Sequence, residues 1–424
     1  MLPVQDAESI ILGLVQPLDG ELDSEVVDLS TARGRTLASS VTSQWDFPHW
    51  DNSAMDGYAV RYIDVQSCSA EQPVVLDIVE EIPAGKQPQC SIQSGQAARI
   101  LTGAVMPQGA DTVVMQERTR REGDRVFILE APKPQAFVRH RASFYQAGMP
   151  LIQPGIAIGA PEIAVLAAAQ CNQLRVYRRP RVAIFSTGDE LITPDGSLQP
   201  GQIIDSNQYA LAAFVAQLGG VPVSLGIVPD EPELLKEAMV NAISSADIVL
   251  STGGVSVGDY DYVEQLLAEL GGEIHIRAVA IKPGKPLTVA TFPPAKPGQG
   301  GAGRPILYFG LPGNPVSALI CCWRFVQPAL KKLSGLPQAV WEPRFVQARA
   351  CDELRSDGRR ETYLWGQLCL NAVGTYEFNL ASGSQNSANL INLAQTTGLA
   401  IVPVGQTLIP SGEPVRVLQV GSAG

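Results

Sequence analysis

The sequence contains few of the residues from which transition-metal sites and disulfide frameworks are built. Its 424 residues include only three histidines, and its seven cysteines form no CxxC pair. Zinc and iron–sulfur sites draw their ligands from such residues, so this composition argues against a transition-metal cage. Cys321 and Cys322 adjoin within an apolar, helix-like run, which favours a place in the core over a chemical role. The cysteine usage fits the cytoplasm.

Long apolar runs and an excess of basic residues are also missing. No charge-free stretch is long enough to span a membrane, and acids interrupt residues 1–20, so neither a membrane segment nor a signal peptide is expected. The formal net charge of −11 argues against a general nucleic-acid binder. An anionic ligand would have to be bound by local basic side chains and backbone N–H groups.

The spacing of apolar residues and the content of Gly and Pro change several times along the chain, as expected for about two to four domains. Helix-like spacing is predicted over 4–14, 24–38 and 161–170. Short β runs between Gly and Pro residues dominate from about 46 to 144, at 74–79, 97–101, 112–116 and 126–129. Residues 344–424 are predicted to form a small β domain.

Residues 181–333 alternate between the two kinds of pattern. Strands are predicted at 181–186, 221–228, 247–252, 274–281 and 305–310, and helices at 207–218, 232–245, 260–270 and 314–333. This order predicts a mostly parallel sheet covered by helices, with ligands at the carboxyl ends of the strands. The Pro- and Gly-rich segment 293–305 between the last two runs is predicted to be a flexible hairpin tip.

Three glycine-rich loops follow strand-like runs in this part of the chain: STGDEL at 186–191, STGGVSVGDYD at 251–261 and KPGKP at 282–286. Glycine lets the backbone approach a ligand closely, and a helix start favours an anion. A single such loop is as often a plain turn. Three of them within about 100 residues indicate a site for a phosphate-rich ligand.

Charged and capping residues near these loops have two possible roles each. Lys282 and Lys285 either bind a ligand or are simply solvated, and Asn314 before Pro315 either caps a helix or directs the helix dipole at a ligand. The acids in this region either bind Mg²⁺ or cap helices; they are Asp189, Glu190, Asp230, Asp259 and Asp261. The polar segment FPHWDNSAMDGYAV at 47–60 cannot be interpreted from its spacing.

Together these segments resemble the molybdopterin molybdenumtransferases, a family that also includes the C-terminal domain of gephyrin. The matching signatures, in the family's order, are DNSAMDGYAV at 51–60, RILTGAVMPQGADTVVMQE at 99–117, STGDEL, STGGVSVGDYDY, IKPGKP and LPGNPVSAL at 311–319. Weaker matches follow at 358–361 and 384–387. The resemblance implies the last step of molybdenum cofactor assembly. In that step molybdate is inserted into adenylylated molybdopterin and AMP is released with Mg²⁺.

The resemblance also implies an elongated multidomain α/β plus β protein that dimerises. We expect a linker subdomain at 1–45 and 145–177, a β-rich insertion domain at 46–144, an α/β three-layer molybdopterin-binding domain at 178–335 and a barrel-like β domain at 336–424. The active site would be shared between two chains of a homodimer. A molybdopterin adenylyltransferase is a possible partner.

Residue roles follow from the same resemblance. Catalytic roles would fall on Asp56, Thr102, Glu190, Asp230 and Asp261, of which Glu190, Asp230 and Asp261 would bind the metal. Cofactor binding would fall on Thr187, Gly188, Asp189, Gly253, Gly254, Ser256, Gly258, Lys282, Gly284, Lys285, Pro312, Gly313, Asn314, Pro315 and Ser387. Because molybdate is an oxyanion, Arg359, Arg360 and Ser387 are its expected donors.

The sequence departs from the family pattern at three positions. Phe144 stands where the family's R-x-x-G-x-D segment has its acid, Ala278 stands where a basic residue is usual, and Trp365 stands where Arg is frequent. Arg277 adjoins Ala278, but neighbouring side chains on a strand face opposite sides. These departures favour, as alternatives, a slowed or non-catalytic cofactor-binding scaffold. An adenylyltransferase-like enzyme is a further alternative, although the segments at 51–60 and 99–117 belong to the longer protein.

Overall fold

The computed structural model describes residues 1–253, 260–294 and 303–421. The predicted ligand residues Gly254, Ser256 and Gly258, the acid Asp259 and most of the predicted hairpin tip lie outside the described residues. The chain divides into two compact units. The first unit comprises Met1–Ser39, Pro154–Ala160 and Gln173–Gly424, and the second comprises Ser40–Gln153 and Pro161–Asn172. The finer division into four subdomains stays a prediction.

A six-stranded mixed sheet forms the centre of the first unit. In spatial order its strands are Val221–Val228, Arg181–Thr187, Ile248–Thr252, Ile306–Leu311, Pro286–Phe292 and Glu273–Ala278. The first four run parallel to one another. Pro286–Phe292 is antiparallel to both of its neighbours, so the edge strand Glu273–Ala278 runs in the same direction as the first four. The sequence did not predict the strand Pro286–Phe292, which pairs with Ile306–Leu311 as a hairpin. That hairpin makes the sheet mixed at one edge.

Alternation along the central strands explains why helices cover both faces of this sheet. Val182 and Ile184 face the core that contains Leu211, whereas Ala183 and Phe185 face the opposite core. Successive residues of a strand point to opposite faces of the sheet. A strand that is apolar at every position therefore presents apolar side chains on both faces, and helices must cover both. The helices of this unit are Val4–Leu14, Asn207–Gln217, Pro232–Ser245, Tyr260–Glu269, Pro315–Cys321, Gln327–Leu333 and Gln338–Trp341.

The predicted helix over 314–333 forms with an irregular middle. A π-helical segment, Cys322–Val326, joins its two α-helical parts. Cys321 and Cys322 are fully buried, as their apolar surroundings predicted. Burial raises the pKa of the Cys321 thiol to about 12, which keeps it protonated and inert at neutral pH.

The predicted helix over 24–38 is wrong. Residues Ser24–Asp28 form a strand paired antiparallel with Gln173–Tyr177, and a 3-10 turn, Leu29–Thr31, follows. Val26 and Val27 are β-branched and extend readily when a partner strand is present. That partner lies about 150 residues away in the sequence, so local periodicity could not indicate it.

The C-terminal part of the first unit is a closed five-stranded barrel, as predicted. Its strands are Phe345–Ala350, Glu361–Leu370, Tyr376–Leu380, Gly398–Val402 and Pro414–Gln419. Pairing of Glu361–Leu370 with Gly398–Val402 closes the barrel. A short strand, Ile281–Lys282, adds in parallel to Glu361–Leu370 and connects the KPGKP loop to the barrel.

The first unit also contains smaller ladders. One joins Leu354–Arg355 to Leu408–Ile409, and another joins Leu191–Ile192 to Ile203–Ile204. A 3-10 turn lies at Ile391–Leu393.

The second unit is β-rich, as predicted. Its six-stranded sheet has the spatial order Thr112–Met115, Gly57–Val60, Gln96–Ile100, Val74–Ile82, Arg125–Ile128 and Thr119–Glu122. Further pairs join Val41–Thr42 to Pro150–Ile152 and Asn52–Ser53 to Val138–Arg139. Helical segments are Tyr62–Val65, the 3-10 turn Gln116–Arg118 and Ala160–Ala168, whose residues from Pro161 onward belong to this unit. In the part of the chain that the structure describes, no helix has both the length and the apolar character needed to cross a membrane.

Candidate active site

Two of the predicted glycine-rich loops meet where neighbouring parallel strands end. Thr187 is the last residue of one strand, and Gly253 follows the next strand directly. A Cβ on Gly253 would lie 2.1 Å from the Thr187 carbonyl oxygen, and the Gly253 φ is +90°. Only glycine fits this approach without displacing backbone. The geometry of these two loops therefore depends on the close approach of Gly253 to Thr187. The sequence pattern predicted the glycine-rich loops but not this contact.

A cavity of about 660 Å³ opens at this end of the sheet, and we call it the strand-end cavity. Seven residues of the predicted site line it: Thr187, Glu190, Gly253, Pro312, Gly313, Asn314 and Pro315. The other lining residues are Leu191, Ile203, Ile204, Asp205, Ser206, Asn207, Thr252, Pro286, Ala388 and Leu390. Among the described residues, this lining contains no Lys or Arg.

A second cavity, of about 630 Å³, adjoins the first, and we call it the basic cavity. It lies between the KPGKP loop and the barrel. Its lining residues are Lys282, Pro283, Gly284, Lys285, Pro286, Pro312, Asn314, Ser317, Arg355, Arg360, Thr362, Tyr363, Leu364, Trp365, Ser384, Gln385, Asn386 and Ser387. Pro286, Pro312 and Asn314 line both cavities, so the two are neighbours.

Two basic side chains of the basic cavity are positioned by contacts between the KPGKP segment and the C-terminal β domain. The Lys282 ammonium lies 2.9 Å from Asp357 Oδ2, and this contact holds the pKa of the Asp357 carboxyl below its usual value. Arg360 donates to the carbonyl oxygen of Ile281 at 3.2 Å. Of the expected oxyanion donors, Arg360 and Ser387 line the cavity, whereas Arg359 is not among the lining residues. Arg355, which the sequence did not indicate, lines it instead.

Asn314 does not cap its helix with its side chain. The helix Pro315–Cys321 begins after Asn314, but no side-chain capping hydrogen bond is made there. Asn314 Nδ2 instead donates to Ser387 Oγ at 3.4 Å, across the wall that the two cavities share. Of the two roles that the sequence left open for Asn314, side-chain capping is not observed, and a helix dipole directed at a ligand stays a prediction.

The acids predicted to bind Mg²⁺ are only partly described. Glu190 is exposed at the strand-end cavity, and the backbone N–H of Asp230 donates to Asp189 Oδ1 at 3.1 Å. Asp261 lies in the helix Tyr260–Glu269, and its side chain is outside the described residues. Within the described part of the chain, no group of three acidic, His or Cys side chains is placed for metal binding. Mg²⁺ commonly binds through one or two carboxylates together with substrate phosphates. Of the three predicted metal ligands, Glu190 lines the strand-end cavity, and Asp230 is not among the lining residues of either cavity.

Asp56 and Thr102 form a tight pair in the second unit. Both the backbone N–H and the hydroxyl of Thr102 donate to Asp56 Oδ1 at 2.7 Å. These two bonds hold the pKa of the Asp56 carboxyl below its usual value. The sequence placed the two residues in separate signatures, and the fold brings them into contact.

The three departures from the family pattern have distinct surroundings. Phe144 is 73% exposed, so it is not a core residue. Arg277 pairs with Glu264 at 2.9 Å, and neither Arg277 nor Ala278 is among the described residues that line the strand-end cavity or the basic cavity. Trp365 is fully buried, donates to Asn392 Oδ1 at 3.0 Å and lines the basic cavity.

Sequence reasoning missed several polar residues of the two cavities. Asp205 and Asn207 flank the start of the helix Asn207–Gln217, and Asn207 Nδ2 donates to the Gly313 carbonyl at 2.7 Å. Gln385 lines the basic cavity and lies within the weaker family match at 384–387, but no role was predicted for it. Asp205 and Asn207 are ordinary residues for a turn or a helix start, so no local signal marked them.

Comparison with known proteins gives consistent results along the chain. Three family profiles match: "MoeA N-terminal region (domain I and II)" at residues 2–169, "Probable molybdopterin binding domain" at 183–332 and "MoeA C-terminal region (domain IV)" at 347–420. A molybdopterin molybdenumtransferase from Nostoc sp. is 61% identical over 99% of this chain and 94% of its own length. One from Haemophilus influenzae is 33% identical over 96% of this chain and 98% of its own length.

A solved structure agrees with these relatives. The crystal structure of the molybdopterin biosynthesis MoeA protein from Pyrococcus horikoshii OT3 covers 99% of this chain and 100% of its own, with a TM-score of 0.81 and 26% identity. Sequence and fold thus agree over essentially the whole length. The chain therefore belongs to the molybdopterin molybdenumtransferase family, the transferases of molybdenum cofactor biosynthesis.

Proposed function

We propose that this protein inserts molybdate into adenylylated molybdopterin and releases AMP in a Mg²⁺-dependent step. The observation that carries the proposal is the pair of adjoining cavities with opposite character. The basic cavity offers Lys282, Lys285, Arg355 and Arg360, whereas the strand-end cavity offers acids, amides and apolar side chains. A substrate with both a heterocycle and several oxyanions matches this division.

In this proposal, the residues divide their work by charge. Lys282 and Lys285 bind phosphate oxygens, and Arg360 and Ser387 bind molybdate through charge-assisted and hydroxyl hydrogen bonds. Glu190, Asp230 and Asp261 would hold Mg²⁺, which when bound neutralises charge on the phosphoanhydride. Of the remaining predicted ligand residues, Thr187, Gly253 and Pro312 to Pro315 line the strand-end cavity and would shape the pocket.

We also propose a homodimer in which the Asp56–Thr102 pair of one copy completes the site on the other. All residues that line the two cavities belong to the first unit, whereas Asp56 and Thr102 belong to the second. A molybdopterin adenylyltransferase is a reasonable partner, because it would supply an adenylylated substrate directly. All seven cysteines are unpaired, which supports a reducing, cytoplasmic location.

The function is tested by measuring AMP release from adenylylated molybdopterin with and without molybdate and Mg²⁺. We expect release that depends on both, and we expect Asp261→Asn to abolish it while the thermal midpoint stays within a degree or two of wild type. Tight binding without release in the wild-type protein would favour the scaffold alternative, for which the exposed Phe144 and the absence of a base at Ala278 are the structural support. Normal release by Asp261→Asn would contradict the metal assignment.

A further inference from the structure

A buried carboxylate in the strand-end cavity has an oxygen with no partner. Asp205 is only 3% exposed and lines the cavity. Its Oδ1 accepts a hydrogen bond from the backbone N–H of Gln208 at 3.2 Å, but its Oδ2 has no hydrogen-bond partner among the described residues. Leaving a desolvated carboxylate oxygen unpaired is costly, so a ligand that donates hydrogen bonds there would be favoured.

A second unpaired polar atom lies in the lining of the same cavity. Thr187 is 6% exposed, and its Oγ1 also has no partner among the described residues. The surrounding side chains of Leu191, Pro312 and Leu390 are apolar. A flat heterocycle with N–H donors on one edge suits a pocket with an acceptor, a hydroxyl and apolar walls. A phosphate does not suit it, because two acids and no base line this cavity within the described residues.

We infer that Asp205 recognises the 2-amino-4-oxopyrimidine edge of the pterin, an inference that rests on the proposed function. That edge presents two N–H donors side by side, from the 2-amino group and N3. A carboxylate with a free acceptor oxygen pairs well with adjacent donors of this kind. The adenine edge alternates a donor with an acceptor and matches a carboxylate less well. Asp205 would therefore seat the pterin in the strand-end cavity, while the basic cavity receives the anionic groups.

The experiment compares two probes, pterin and lumazine, in which a 2-oxo group replaces the 2-amino group. We expect the wild-type protein to bind pterin about 10- to 100-fold more tightly than lumazine in a fluorescence titration, because lumazine sets an acceptor against the carboxylate. Asp205→Asn should reduce or reverse the preference for pterin over lumazine, since the Asn amide offers both a donor and an acceptor. Equal binding of the two probes by the wild type, or binding of neither, would overturn the inference without needing any variant.

The controls separate recognition from structure. Asn still provides an oxygen for the Gln208 N–H, so the thermal midpoint of Asp205→Asn should match that of wild type. Asp111→Asn is a matched control in the second unit, because Asp111 also accepts a backbone N–H, that of Tyr62 at 2.7 Å. It should leave the probe preference unchanged. If Asp205→Asn loses affinity for AMP and keeps its preference for pterin, the carboxylate faces adenine and the inference is wrong.

The same preparation also reports on the proposed function. Molybdate-dependent AMP release by the wild type, together with no preference between pterin and lumazine, would reject only the role of Asp205. A clear preference without any release would support that role and reject the transferase activity proposed for this chain.

Discussion

At the scale of single residues, the two lysines of the KPGKP loop differ in their surroundings. Lys282 is paired with Asp357, whereas Lys285 is exposed at the basic cavity. We expect Lys285→Ala to weaken binding of adenylylated molybdopterin by about 10- to 100-fold, because a hydrogen bond to a charged group contributes about 1.5–3 kcal/mol. Isothermal titration measures the dissociation constant. Lys236→Ala, which removes a surface lysine paired with Glu269, is the control. An unchanged constant for Lys285→Ala would show that this lysine is only solvated.

Phe144 offers a test of whether a departure from the family pattern affects activity. Its side chain is 73% exposed, so Phe144→Asp should change the free energy of unfolding by less than about 0.5 kcal/mol. We expect AMP release by this variant to equal or exceed that of wild type, since the acid restores the family's residue. Chemical denaturation and the release assay measure the two quantities. A loss of stability above about 2 kcal/mol would show that Phe144 packs against a surface not present in the single chain.

At the scale of elements, the KPGKP turn depends on a close contact with the helix beside it. Gly284 has a φ of +110°, and a Cβ there would lie 2.7 Å from the buried Cys321 Sγ. We expect Gly284→Ala to destabilise the protein by about 1–3 kcal/mol and to weaken substrate binding, because the turn must move away from the helix.

Gly271→Ala is the matched control for this substitution. Gly271 also has a positive φ, of +80°, but nothing lies within 4 Å of its Cβ position. Its variant should show the backbone cost alone and leave binding unchanged. Equal effects of the two substitutions in denaturation and binding would argue against the steric contact with Cys321.

The elements also show where sequence patterns succeed. The runs at 207–218 and 232–245 were predicted as helices and are observed as Asn207–Gln217 and Pro232–Ser245, because their periodicity reflects burial of one local face. The run at 24–38 failed, since its first residues extend against a strand distant in sequence. The strand Pro286–Phe292 was missed because Gly- and Pro-rich loops separate it from both of its partner strands. Glu273–Ala278 precedes it across the KPGKP loop, and Ile306–Leu311 follows it across the segment 293–305.

At the scale of the whole molecule, a shared active site predicts complementation between inactive variants. Asp56→Asn and Asp261→Asn should each be inactive alone. If a homodimer builds each site from two chains, mixing and reassembling the two variants should restore up to about a quarter of wild-type activity, since half of the dimers carry one intact site. AMP release before and after mixing measures this. No recovery, with mixed dimers verified by mass spectrometry of tagged chains, would place all essential groups in one chain.

Acid stability is a second property of the whole molecule. Asp46 accepts a hydrogen bond from the Ala147 N–H at 2.8 Å and pairs with Arg141, and these contacts lower the pKa of its carboxyl. A lowered pKa in the folded state means that the unfolded chain binds more protons, so the contribution to stability is complete above the ordinary Asp pKa of about 3.9 and is lost as pH falls below it. We expect the free energy of unfolding to drop steeply below about pH 4. Asp46→Asn should reduce that slope, and an unchanged slope would contradict this assignment.

The sequence by itself determined which segments form most of the helices and strands around the central sheet, the glycine-rich loops and the family resemblance. Each of these depends on residues that lie close together in the chain. The contact between Asp56 and Thr102 and the pairing of Lys282 with Asp357 depended on tertiary structure. So did the place of Asp205 in the strand-end cavity. These contacts join residues from separate segments, and their chemistry arises from burial and distance. A local sequence pattern reports neither burial nor distance. Both are set by the tertiary structure, at the closed barrel and at the edge of the central sheet.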